Sequence, residues 1–271
     1  QWSSSAASDV YKRQIIDNAA VGARAVHALD IDGDGDTDAF SASAHGNTFA
    51  WYENNGSESF TKRVIKNTAD YAYDIYGVDI DGDGDVDAFA ASFDDDTLSW
   101  FENDGSENFT ERVITTSLDG AISVYPADMD GDGDIDAVAA FEDASTIAWF
   151  RNDGSQNFTP QTIATDAMQA IDVKALDMDG DGDMDVVSAS FDDDTVAWYE
   201  NNGSESFTKR VITNAADSVR GIDALDVDDD GDIDVLSASY SDNTVAWYEN
   251  NGSQTFTKRT LSTTSQGAMN V

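Results

Sequence analysis

The chain has 271 residues, with 54 Asp and Glu against 14 Lys and Arg, a formal net charge of −40 and no Cys. This charge excludes nucleic-acid binding, which needs a cationic face to release counterions from phosphates, and argues against anionic lipid surfaces. Without thiols there are no disulfides or thiolate metal sites, and no apolar run approaches the roughly 20 residues that span a bilayer.

In chain order, residues 1–14 stand apart. The run Asp9-Val10-Tyr11-Lys12-Arg13-Gln14 resembles a translated sequencing-library adapter, so 1–14 is read as a scar outside the fold and 15–271 as the folded part. On that reading the natural N-terminus and any export signal lie outside this fragment.

A repeat then begins. WYENNGS starts at Trp51, and related strings start at Trp100, Trp149, Trp198 and Trp247, each 49 residues on. Five complete units in one register mean one supersecondary unit used five times. Ile15-Ile16 aligns with the end of a unit, and residues 268–271 with the start of another, so partial blades are expected at both ends.

Within a unit, short apolar runs separated by turn signals predict strands, and no segment carries a helical period. The second unit predicts strands over 74–78, 88–93, 97–102 and 109–114. The last turn is Asx-Gly in every unit, from Asn55-Gly56 to Asn251-Gly252, which suits a tight hairpin. Four antiparallel strands in this length make a propeller blade. The expected fold is therefore all-β, a β-propeller of four-stranded antiparallel blades. Pro126 and Pro160 fall in a first and a fourth strand, the edge strands of a blade, where a missing N–H is tolerated. The basic pairs Lys62-Arg63, Lys209-Arg210 and Lys258-Arg259 on fourth strands read as edge protection. The five Trp, in register within a strand, read as inter-blade core rather than sugar-stacking platforms.

The first-to-second strand loops read Asp-x-Asp-x-Asp-Gly-x-x-Asp. Positions 1, 3, 5, 7 and 9 are Asp30, Asp32, Asp34, Asp36 and Asp38 in the first unit, then Asp79, Asp81, Asp83, Asp85 and Asp87. The third and fourth units have Asp128, Asp130, Asp132, Asp134 and Asp136, and Asp177, Asp179, Asp181, Asp183 and Asp185. The fifth has Asp226, Asp228, Asp230, Asp232 and Asp234, with Asp229 where the others have Gly. Carboxylates at positions 1, 3 and 5 of a tight loop converge, Gly at 6 allows a sharp reversal, and a backbone carbonyl at 7 can turn inward, as in the first half of an EF-hand loop. The end differs: position 12 is Ser or Ala, position 9 is always Asp and is the expected closing side-chain ligand, and a strand follows. All-oxygen donors in this number select Ca²⁺ over Mg²⁺, about one ion per blade. Two carboxylates about 5 Å apart repel by roughly 3 kcal/mol at an effective dielectric near 20, so an uncompensated loop would repel itself.

These loops, followed by a small-residue strand and an AWYEN-type strand, resemble the FG-GAP/VCBS repeats of integrin α-chains and of many secreted bacterial proteins. The resemblance covers about 15–271. It implies a propeller with Ca²⁺ in each first-to-second strand loop and an extracellular or cell-surface setting. Ser41-Ala42-Ser43 replaces the family's Gly-Ala-Pro segment, so an integrin-type partner is not implied.

Variation within the frame marks where a partner could bind. The second-to-third strand turns vary, and so do His27, Tyr76, Tyr125, Lys174 and Asp223. A protein or glycan ligand is expected on the face opposite the metal loops, although drift at exposed positions explains the same variation. With only His27 and His45 and no nucleophile–base spacing, the chain is not expected to be an enzyme. Part of a polysaccharide-degrading enzyme is the alternative that an activity assay would test.

Overall fold

The computed structural model describes residues 14–57 and 59–271, so the predicted scar lies outside it except for Gln14. Twenty strands form five four-stranded antiparallel sheets, with no helix among the described residues. First strands run Ala23–Leu29, Ala72–Val78, Ala121–Ala127, Ala170–Leu176 and Val219–Leu225. Second strands run Asp38–Ser43, Asp87–Ser92, Asp136–Phe141, Asp185–Ser190 and Asp234–Ser239. Third strands run Thr48–Asn54, Thr97–Asn103, Thr146–Asn152, Thr195–Asn201 and Thr244–Asn250. Fourth strands run Phe60–Lys66, Phe109–Thr115, Phe158–Ala164, Phe207–Thr213 and Phe256–Ser262.

Each sheet is a simple meander, and consecutive first strands contact one another. The first strands therefore gather round one axis and the fourth strands form the outer edges, as in a propeller. Pro126 and Pro160 do lie on the inner and outer edge strands.

Second strands are buried on both faces because sheets pack on them from either side; Asp87–Ser92 is buried at every residue. Trp51, Trp149 and Trp198 are at most 2% exposed and fill the space between sheets. Burying one such ring removes about 200 Å² from water, on the order of 5 kcal/mol before entropy. Trp247 departs from this: it is half-buried, because among the described residues no further complete blade covers its side of the fifth sheet.

Every first strand carries a bulge near its start. In the second repeat Ala72 pairs with Ser92 and Asp74 with Ala91, leaving Tyr73 without a partner. The equivalent residues are Arg24, Ile122, Ile171 and Arg220. A bulge re-aims its side chain, and all five of these line an axial cavity of about 440 Å³.

Candidate metal centres

Each centre is built from the aspartate at position 9, which opens the second strand. Asp87 is fully buried. Its Oδ2 accepts the amide of Ile80 at 3.0 Å and its Oδ1 that of Asn103 at 2.7 Å. One carboxylate thus ties the loop's start to the end of the third strand. The other repeats repeat the clamp, through Asp38, Asp136, Asp185 and Asp234.

Position 1 folds the loop over itself. Asp79 Oδ1 accepts the amide of Gly82 at 2.8 Å and Oδ2 that of Gly84 at 3.0 Å. Gly82 and Gly84 have φ of +77° and +99°, so the reversal needs residues free to enter the left-handed region. The fifth repeat places Asp229 there at φ +62°, a conformation Asp tolerates better than most side chains.

In the first four repeats the carboxylates at positions 1, 3 and 9 converge. One oxygen from each of Asp79, Asp81 and Asp87 lies within 4.8 Å of the others, as for Asp30, Asp32 and Asp38, Asp128, Asp130 and Asp136, and Asp177, Asp179 and Asp185. In the fifth repeat the trio is Asp226, Asp228 and Asp230, at positions 1, 3 and 5. Elsewhere position 5 stands beside the trio, with Oδ1 accepting the amide of position 7, as Asp83 does from Asp85 at 2.9 Å. The position 7 side chains turn away: a Cβ on Gly105 would lie 2.5 Å from Asp85 Oδ2. The Asx-Gly turn therefore needs glycine for space as well as for its φ of +72°.

An FG-GAP-like repeat model matches residues 30–90, 79–139, 128–188, 177–237 and 226–271. The chain belongs to the FG-GAP-like repeat family. No curated protein sequence matches it. Three solved structures share the fold of these FG-GAP-like repeats. An Agrocybe aegerita lectin, described as recognising non-reducing terminal N-acetylglucosamine, has a TM-score of 0.62 at 19% identity, over 91% of this chain and 67% of its own. The V. cholerae biofilm matrix protein Bap1 gives 0.57 at 18%, over 93% of this chain and 40% of its own. An auxiliary nutrient binding protein from Bacteroides ovatus gives 0.60 at 9%, over 88% and 56%. The chain thus spans about half of the latter two, and at these identities the likeness speaks to the fold.

The FG-GAP-like loops hold their carboxylates against an electrostatic gradient. Burial pushes Asp87 and Asp185 up to about 7 and Asp136 to about 6, despite the amides they accept. Burial, with help from neighbouring loop carboxylates, also raises Asp32, Asp81, Asp130, Asp179 and Asp228 at position 3. Asp130 Oδ2 is buried and accepts no aligned hydrogen bond, although the Arg151 guanidinium lies 2.7 Å away. Crowded, desolvated, all-oxygen carboxylates fit a hard cation.

Sequence reasoning missed one part of each centre. The last residue of the third strand, Asn54, Asn103, Asn152, Asn201 or Asn250, donates its own amide to position 9 and its Nδ2 to the carbonyl at position 8, at 3.0 Å for Asn54 to Thr37. The signal was present, an Asn unchanged in five units, but it reads as an ordinary residue before a turn.

Proposed function

We propose that the chain is a calcium-stabilised binding module displayed outside the cell or on its surface, presenting the face opposite its metal loops to a protein or carbohydrate partner. The observation that carries the metal reading is the trio of carboxylate oxygens repeated in five loops. Positions 1, 3 and 9 would supply side-chain ligands in the first four repeats, with position 5 alongside and replacing position 9 in the fifth. The position 7 carboxylate is turned to the Asx-Gly turn, which leaves its backbone carbonyl as its contribution. A bound dication would offset the negative charge that these loops concentrate.

The partner reading rests on the axial mouth. Around it the bulged residues Arg24, Tyr73, Ile122, Ile171 and Arg220 differ in chemistry from blade to blade. Arg24 lies over the rings of Tyr71 and Tyr73, at 5.5 and 5.1 Å from their centroids. Neighbours of this fold described as a lectin, a biofilm matrix protein and a nutrient binding protein favour binding over catalysis. No helix among the described residues is long and apolar enough to cross a membrane.

Thermal melts test the metal. At free Ca²⁺ about 100 times its Kd, each independent site adds up to roughly 2.7 kcal/mol. EDTA should lower Tm by many degrees, and Ca²⁺ should restore it better than Mg²⁺; an unmoved Tm removes this reading. A glycan array, repeated with Tyr73→Ala, separates carbohydrate from protein partners. Turnover of an acidic polysaccharide would replace the binding role with an enzymatic one.

A further inference from the structure

At the next-to-last place of the third strand, four repeats carry Glu53, Glu102, Glu200 and Glu249, and the third carries Arg151. Each Glu pairs across the sheet with an Arg of the fourth strand: Arg63, Arg112, Arg210 and Arg259. The third repeat has Gln161 at that place. A Glu–Arg pair is neutral, whereas Arg151 with Gln161 carries one net positive charge.

Lacking a carboxylate across the sheet, Arg151 turns to the acidic loop. Its Nε lies 2.7 Å from Asp130 Oδ2 and its Nη2 3.5 Å from Asp132 Oδ2, at positions 3 and 5. Its Nη1 reaches Glu205 Oε1 of the next repeat at 3.6 Å. The Asp130 side chain is only 7% exposed, so this ion pair is poorly screened. The contact is charge against charge, since Oδ2 accepts no aligned hydrogen bond. A guanidinium stays charged at any working pH.

We infer that Arg151 is a built-in counter-ion, which makes the third loop a weak divalent-cation centre, set apart from those of repeats one, two and four. The inference rests on the metal reading above. A dication entering this loop meets a cation of the protein's own beside Asp130 and must displace it. Without metal, the same Arg offsets part of the crowding at Asp130, whereas the Glu at that place in the second, fourth and fifth repeats adds to it.

The test titrates calcium into the metal-free chain by calorimetry. The third site should bind at least about tenfold more weakly, which corresponds to about 1.4 kcal/mol. Asp81→Asn should remove one tight site and Asp130→Asn none, while Arg151→Glu, which restores the residue of the other repeats, should add one. In chelator Arg151→Glu should melt below the wild type, and calcium should raise its Tm by more than it raises the wild type's. Arg151→Gln, which removes the charge alone, serves if the Glu variant does not fold, and should also tighten the third site. Loss of a tight site in Asp130→Asn, or an unchanged isotherm in the folded Arg151 variants, overturns the inference. A folded wild type that binds neither calcium nor magnesium overturns the metal reading instead.

Discussion

The two faces of the propeller hold their loops by different means. On the metal-loop face, each blade is tied to itself: a buried aspartate opening the second strand holds the loop that follows the first strand and the end of the third strand through backbone amides. On the opposite face, each blade is tied to the next. One polar residue at positive φ, in the turn between second and third strands, accepts an amide of the following connector. Asp96 accepts Gly120 at 2.7 Å, Asp194 accepts Ser218 at 2.8 Å, and Asn243 accepts Gly267 at 3.0 Å. Asn47 takes Tyr71 and Ser145 takes Gln169 in the same way. The first arrangement needs several fixed carboxylates in sequence. The second needs a single small acceptor, which leaves the remaining turn positions free to vary.

Removing the intra-blade clamp should break this contrast most severely. Asp87→Ala strips acceptors from the amides of Ile80 and Asn103 in a fully buried place. A lost hydrogen bond to a charged group is worth about 1.5–3 kcal/mol, so the variant should lose about 3–5 kcal/mol in urea denaturation without metal. A loss below about 1 kcal/mol would mean that the loop holds its shape without the carboxylate.

The next effect is in pH. Asp87, Asp136 and Asp185 sit at about 7, 6 and 7 in the folded state, above the ordinary value of 3.8. The folded chain then binds more protons than the unfolded one between those values. Their contribution is complete below 3.8 and is lost as pH rises through 6 to 7. Metal-free protein should therefore melt several degrees lower at pH 8 than at pH 5. Calcium should reverse the slope, because ligation needs the deprotonated form. A metal-free Tm that rises over that interval contradicts the burial of these groups.

The same contrast separates what was legible in the sequence from what was not. The 49-residue period, the four strands of a blade and an aspartate cluster in each first-to-second strand loop follow from spacing, but spacing does not tell that position 5 stands outside the trio in four repeats and position 9 in the fifth. First strands begin earlier than their alternation predicts, at Ala72 instead of Asp74, because the bulge at Tyr73 breaks the period of two. The basic pairs on fourth strands read as edge protection. In space their arginines are partners of third-strand glutamates, such as Arg63 with Glu53 at 2.9 Å. Such diagonal pairs depend on register, which a single strand does not reveal. Arg151 was hidden for the opposite reason: one departure in a column of Glu carries no signal until its direction in space is known.

The smallest effect tests the opposite face. Asp192 and Asp194 lie in one turn, two residues apart, and both belong to a stretch that the repeat leaves variable. Asp194 accepts the amide of Ser218 from the next connector, and at φ +57° it occupies a region that alanine enters less readily than Asp. The Asp192 backbone amide donates to the Met168 carbonyl, a bond that survives any non-proline substitution. Asp194→Ala should therefore cost about 1–2 kcal/mol, while Asp192→Ala should stay within about 0.5 kcal/mol. Asp194→Asn keeps both the acceptor and the tolerance of positive φ, and should recover most of the loss. Equal effects from Asp192→Ala and Asp194→Ala would show that the connector is held by its backbone alone, and that no position of this turn is bound to the ring.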